Sequence, residues 1–368
     1  MTVPYSFPEP GTLKSDLPTP ALIIDLANVE DNLSLMARFF EGKPAKLRPH
    51  FKTHKCPILA HKQIQAGAIG MTCAKLGEAE VLVDAGIGDI LIANQIVDPV
   101  KISRIAELAR QNRLMVAIDQ TDNLRQISEA AIRAGSRVNV VVEVDVGLHR
   151  CGVQPGHAAL DLARRGAQSG GIHFAGLLGY EGHAVLVTDV EQRARLAREA
   201  MQALVDTAEL IRQAGLPVEI VSAGGTGTYD ITGTFPGVTE VEAGSYLFMD
   251  TKYRRLGLPF RNALSLLATV ISTPAPNRAI IDAGLKVLTT ENGLPQVASL
   301  PGATLASLSE EHGRLELDPE KAALRVGDRV ELIPSHVCTT VNLHDRYYVL
   351  QEGKLAAIWP ITARGKSQ

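Results

Sequence analysis

The chain has few cysteines, no excess of charge of one sign and no long apolar run, and each lack removes a class of protein. Its four cysteines, Cys56, Cys73, Cys151 and Cys338, are scattered and form no CxxC spacing. That argues against a disulfide framework and predicts reduced thiols. Lys and Arg number 37 against 40 Asp and Glu, for a formal net charge of -3, and no long basic run occurs. A phosphate backbone needs a basic face, so no nucleic-acid partner is expected. No apolar stretch reaches the roughly 18 residues that span a bilayer. The start, "MTVPYSFPEPGTL", has neither the basic nor the apolar region of an export leader. A cytoplasmic protein with no membrane partner is therefore expected. The remaining composition is ordinary and globular, with 45% hydrophobic and 21% charged residues in 368.

What is present is a repeated alternation. Short apolar or β-branched runs occur at 47–52, 70–75, 89–94, 113–119, 137–145, 173–180, 219–225 and 239–246. Between them lie segments such as "KISRIAELARQN" and "TDNLRQISEAAIRAG", apolar at i, i+3/i+4 and i+7. Thr121 or Asp122 is the expected N-cap of the second. Strand and helix in alternation give parallel strands with right-handed crossovers, and eight such units predict a closed (β/α)8 barrel. An open doubly wound sheet is the alternative. The gap from 180 to 219 must hold a large loop and a long helix. Beyond residue 255 helical periodicity fades. Strand-like runs replace it: "ALSLLATVIST", "RAIIDAG", "DRVELIPSHV", "RYYVLQ" and "KLAAIWPI". The expectation is an α/β chain with a TIM barrel over 16–255 and a mostly β C-terminal domain over 256–368. Residues 1–15 are expected to pack on the latter. "TPALIIDL" can join either.

Chemistry in such a barrel belongs at the C-terminal ends of the strands. The residues there are Lys52, Lys75, Asn94, Asp119, Asp145, Tyr180, Gly225 and Tyr246. The stretch "LRPHFKTHK" (47–55) gathers an arginine, two histidines and two lysines. It is open to three readings: a nucleic-acid patch, a metal site, or a lysine held for covalent work. "SAGGTGTYD" (222–230) follows the seventh run and "EAGSYLFMD" (242–250) closes the eighth. Their glycines let backbone N–H groups approach an anion, in the two loops where barrels commonly bind phosphate. A phosphate site beside a strand-end lysine points to pyridoxal 5'-phosphate, with Lys52 forming the Schiff base. The neighbouring His50, His54 and Lys55 would supply positive charge that keeps the amine neutral. In the second domain, His336 and Cys338 stand at i and i+2 of a strand-like run, so alternation places both on one face. Imidazole and thiolate are usable zinc ligands, and two of them leave open positions. His344 and Asp345 are the expected partners behind them.

These residues carry a resemblance. "DLPTPALIIDL", "RPHFKTHKCP", "VEVDVGLHRCGV", "GGTGTYD", "EAGSYLFMD", "SHVCTTVNLHD" and "ITARG" resemble the D-threonine aldolase and D-serine dehydratase family. These are metal-activated pyridoxal phosphate enzymes of the alanine racemase fold. The resemblance runs from about residue 16 to 366. It implies that Lys52 is the Schiff-base lysine, that Arg150 lies near the cofactor's phenolic oxygen and that Tyr180 lies near its pyridine nitrogen. It further implies that Gly225, Thr226, Gly227, Gly244, Ser245 and Tyr246 form the phosphate loops. His336 and Cys338 become the metal ligands, and the protein a homodimer. Family aldolases carry an aspartate where Cys338 stands. A cysteine there is similar to the dehydratases and favours zinc over manganese or magnesium. The activity implied first is a lyase acting on β-hydroxy-D-amino acids, as D-threonine aldolase. A D-serine or D-3-hydroxyaspartate dehydratase is the alternative, with a non-catalytic cofactor carrier and a racemase behind it. Glu181 and His183, in "YEGH", are the candidate bases for the aldol route.

Overall fold

A computed structural model describes residues 7–368. Contacts divide the chain into two units, Ser34–Tyr246 with Gly365–Gln368 and Met1–Leu33 with Leu247–Arg364. The first strand, β1 (Ala21–Asp25), belongs to the second of these.

The larger unit holds β2 (Lys46–Leu47), β3 (Met71–Cys73), β4 (Asp89–Ile92), β5 (Arg113–Ile118), β6 (Val138–Glu143), β7 (Ile172–Gly179), β8 (Ile220–Ala223) and β9 (Glu240–Val241). All pairings are parallel, in the order β2-β9-β8-β7-β6-β5-β4-β3. A parallel bridge between His50 and Thr72, with the Thr72 N–H on Pro49 O at 2.9 Å, joins the two ends of this sheet and closes the ring. Each expected strand is found; longer helices follow β2 to β7, whereas only the four-residue helix Tyr229–Thr232 separates β8 from β9. The long gap holds the helix Val190–Gln213, capped by Asp189 through the Gln192 N–H. The cap expected for the helix Thr121–Ala134 differs by a residue. Gln120 occupies the cap without a side-chain bond, and Asp122 falls in the first turn, where it complements the helix dipole. Leu91, Met115, Ala117, Val141, Ala175, Leu178 and Ile220 pack together across the middle strands. Directly after β2, Arg48 is fully buried. Its guanidinium is held by Glu240 at 2.8 and 2.9 Å and by Asp89 at 2.6 Å.

The smaller unit is a mostly β assembly. Its further strands are β10 (Leu264–Ala275), β11 (Arg278–Ile281), β12 (Gln296–Ala298), β13 (Ala303–Leu308), β14 (Gly313–Leu317), β15 (Arg329–Ile333), β16 (Arg346–Gln351) and β17 (Lys354–Pro360). They run β13-β14-β11-β10-β1-β16-β17, with β15 pairing β10 and β12. β1 is antiparallel to β10 and parallel to β16. "TPALIIDL" thus supplies a central strand here, and the barrel unit begins at Ser34 rather than at residue 16. An apolar run of this type fits either sheet; only its long-range pairing decides. Leu13 bridges Lys354, and Lys14 pairs with Glu331 at 2.6 Å, so the described part of the N-terminal segment lies on this unit. The expectations for residues 1–6 lie outside the described residues. No helix among the described residues is long and apolar enough to cross a membrane.

Candidate active site

Lys52 lies in a 3-10 turn, Phe51–Thr53, just past the end of β2. The turn follows from His50, whose ring Nδ1 accepts the Lys52 N–H at 3.4 Å. The surroundings of Lys52 correct the expected field of cations. Burial pushes His50 well below the usual imidazole range, helped by the charges of Lys52, Lys55 and Arg150. Burial also takes His54 down to about 4, so both rings are neutral near pH 7. Lys55 is paired with Glu78 at 2.5 Å, and Arg48 is consumed by Glu240 and Asp89. The opening stretch is therefore not a basic patch, and Lys52 is only half-buried among groups that carry no spare charge.

Two glycine loops adjoin this turn. A methyl group on Gly244 would stand 2.5 Å from Thr53 Oγ1 and 2.9 Å from His50 O, so the loop after β9 presses against the Lys52 turn. Ser245 and Tyr246, next in that loop, are buried. The Tyr246 N–H donates to Thr226 Oγ1 at 2.9 Å, which joins this loop to the one after β8. The Tyr246 hydroxyl accepts from Gln63 at 2.9 Å, and Gln63 accepts from His54 at 3.0 Å. In the β8 loop, a methyl group on Gly227 would lie 1.7 Å from Val185 O, so that position admits glycine alone. Gly225 lies against the Tyr180 ring. No protein group among the described residues accepts from the Thr226 or Gly227 N–H. Paired backbone donors in a glycine cradle beside a lysine suit a phosphate-bearing aldehyde.

Arg150 lies 5.8 Å from the centre of the Tyr180 ring and 3.8 Å from Glu143 Oε1. Its loop is shaped by two strand-end carboxylates. Asp145 accepts the Gly147 and His149 N–H groups, and Asp119 accepts the Gly152 N–H at 3.1 Å. Those two carboxylates thus brace the backbone on either side of Arg150.

The structure separates the two candidate bases. Glu181 is fully buried and accepts the Gly224 N–H at 3.0 Å and the hydroxyls of Thr228 and Thr232 at 2.7 and 2.5 Å. With three donors on its oxygens it anchors the glycine loop. His183 keeps a buried Nδ1 with no hydrogen-bond partner.

One carboxyl group escaped sequence reasoning. Glu242 is 8% exposed and accepts the Ser222 hydroxyl at 2.7 Å. Burial, reinforced by Glu240, lifts it to about 7 against that hydrogen bond and the charges of Lys52 and Arg48. The available signal was a second glutamate in "TEVEAG", two residues from Glu240, where a strand-like alternation puts both on one face.

In the β unit, His336 and Cys338 do not lie on a strand. β15 ends at Ile333; His336 is the extended N-cap of the short helix Val337–Val341, and Cys338 lies in its first turn. The β-branched composition of "HVCTTV" reads as strand. Asp250 turns it into a helix start by accepting the Val337 N–H at 3.2 Å. Asp250 Oδ2 also stands 3.5 Å from His336 Nδ1, an atom that is buried without a hydrogen-bond partner. Burial alone would lower the His336 imidazolium, yet Asp250 and Cys338 raise it to about 10. No cluster of three or more metal-binding side chains occurs among the described residues. The donor set of an imidazole and a thiol two residues apart does suit a metal held by two protein groups with further positions open. The expected partners behind them are engaged elsewhere: His344 Nε2 lies 2.8 Å from Val287 O, and Asp345 pairs with Arg364 at 2.6 Å.

Comparison with known proteins agrees over the whole length. The family profile described as alanine racemase, N-terminal domain, matches residues 24–270, and one named for serine dehydratase matches 263–350. The chain is 41% identical to a D-threonine aldolase of Arthrobacter sp. over 98% of this chain and 96% of that protein. The crystal structure of D-threonine aldolase from Filomicrobium marinum superposes with a TM-score of 0.96 at 38% identity, covering 99% of this chain and 100% of that one. A D-threo-3-hydroxyaspartate dehydratase, solved as a cysteine-to-alanine mutant in the metal-free form, gives 0.86 at 31% identity, covering 95% and 98%. This chain belongs to the alanine racemase N-terminal domain family, its barrel joined to a domain of the serine dehydratase kind.

Proposed function

We propose that this protein is a pyridoxal phosphate- and metal-dependent D-threonine aldolase, which splits D-threonine and related β-hydroxy-D-amino acids into glycine and an aldehyde. It is a lyase, as are the aldolases and dehydratases it is similar to. The observation that carries the reading is the Lys52 turn pressed against two joined glycine loops, in a chain 41% identical to an aldolase of that name. Lys52 would hold the cofactor's aldehyde carbon. The Thr226 and Gly227 N–H groups, with Gly225, Gly244, Ser245 and Tyr246, would hold its phosphate. Arg150 and Tyr180 would flank the ring. The bound cofactor supplies an electron sink for the charge that develops at Cα when a bond there breaks. His183, with its unpartnered nitrogen, would take the proton of the β-hydroxyl as the Cα–Cβ bond opens. His336 and Cys338 would hold the metal, zinc for a thiolate-containing pair, and manganese or magnesium less well. A metal there supplies Lewis acidity to that hydroxyl. A homodimer is the proposed working unit.

Cys338 favours a second reading, the dehydratase. There the Lys52 amine would remove the α-proton and hydroxide would leave. Product analysis decides between them. Purified protein with cofactor, zinc or manganese, and D-threonine should yield glycine and acetaldehyde. Ammonia and 2-oxobutyrate would replace the aldolase with the dehydratase. Neither product, with cofactor bound, would end both.

A further inference from the structure

We infer that Asp250 is the positioning carboxylate of the metal centre, taking the Nδ1–H of His336 and so committing Nε2 to the metal. The inference rests on the proposal that His336 and Cys338 hold a divalent cation, and it goes beyond it by naming the nitrogen that binds and the residue that selects it.

Asp250 is fully buried and fixed from three directions. Oδ1 accepts the N–H groups of Lys252 at 3.1 Å and Tyr253 at 2.9 Å, capping the short helix Thr251–Arg254. Oδ2 accepts the Val337 N–H at 3.2 Å. Met249, directly before it, is a buried non-glycine residue at φ 52, an uncommon backbone conformation that the surroundings must impose. The carboxylate is therefore not free to move toward or away from the imidazole.

His336 is the residue next to Val337, so the bond from Val337 to Oδ2 also fixes where the ring stands. Its Nδ1 lies 3.5 Å from that same Oδ2 and is closed to solvent, without a hydrogen-bond partner, while the side chain as a whole is 20% exposed. The accessible edge of the ring is then the one that bears Nε2. A small rotation brings Nδ1–H onto Oδ2. A buried imidazole with a carboxylate behind one nitrogen is fixed in the tautomer whose other nitrogen carries a lone pair, and that arrangement strengthens it as a ligand. Nε2 then offers its lone pair to the metal, and Nδ1 keeps its proton for Asp250.

Two measurements on the full chain test this. The first needs no variant. Protein labelled with 15N-histidine and loaded with zinc should show His336 with a protonated Nδ1 and a metal-bound Nε2. A spectrum with Nδ1 bound to zinc overturns the inference. The second is competition for zinc against a chromophoric chelator, comparing wild type, Asp250→Asn, Asp250→Ser and His336→Ala. Asn and Ser both keep an oxygen that can cap the helix Thr251–Arg254, and the loss of the Val337 N–H acceptor should lower the melting temperature of the two variants without unfolding them. Zinc affinity should fall about 10- to 100-fold in both Asp250 variants. Variants that bind zinc as tightly as wild type overturn the role of Asp250 while leaving the metal proposal standing. A wild type that binds zinc no better than His336→Ala overturns the metal proposal, and the inference with it.

Discussion

Glu242 is an unusual residue to find beside Lys52: a carboxyl group in the barrel interior whose burial keeps its proton up to about pH 7. Its pH linkage has a definite sign. The folded state binds this proton more tightly than the unfolded chain, which releases it near the ordinary glutamate value of 4.5. The stability it confers is whole below about pH 4.5, falls as pH rises and is gone above about 7, a swing of at most about 3 kcal/mol. Glu242→Gln should abolish that component. Urea midpoints measured from pH 4 to pH 8 should decline more steeply for wild type than for the variant. Parallel curves would show that Glu242 is ionised in both states. The same scale explains why the histidines of "LRPHFKTHK" misled. Residue type says that His50 and His54 can carry charge, whereas burial of both side chains keeps them neutral.

At the scale of elements, the loop after β8 is the most constrained segment of the site. Glu181 holds it from below through Gly224, Thr228 and Thr232, and Gly227 lies against the Val185 carbonyl. Gly227→Ala places a methyl group where a backbone oxygen stands, so loop or neighbour must shift, at about 1–3 kcal/mol. The expected result is a lower melting temperature and at least tenfold weaker binding of pyridoxal phosphate, read by titrating cofactor-free protein and following visible absorbance. Unaltered affinity would remove this loop from the cofactor site. Elements also show how far pattern reading reaches. The barrel strands and helices were legible because burial on both faces leaves continuous apolar runs, and helices keep their 3.6-residue period. The segment 337–341 was not legible. Its β-branched residues favour a strand, and the capping carboxylate that starts the helix is Asp250, 87 residues away from Val337 in the chain.

For the whole molecule, the division of labour follows the two units. Every residue proposed to hold the cofactor lies within Ser34–Tyr246, and His336, Cys338 and Asp250 lie within Leu247–Arg364. Removing a metal held by His336 and Cys338 would therefore leave the cofactor's proposed partners in place. A chelator should abolish lyase activity while the visible band of bound cofactor persists, and zinc or manganese should restore turnover. Full activity in chelator would remove the metal from the reaction, and loss of the band would show that the metal also holds the cofactor. By itself, the sequence determined the alternation of strand and helix, the β texture after residue 255, the lysine at the end of the first barrel run and the glycine loops after the last two. All of these are written in neighbouring residues, where periodicity and turn chemistry operate. Only the tertiary structure decided that β1 serves the β sheet, that Glu181 anchors a loop, that Glu242 lies buried near Lys52 and that Asp250 meets His336. Each of those depends on enclosure or on a partner far along the chain, and neither is a property of a local stretch of residues.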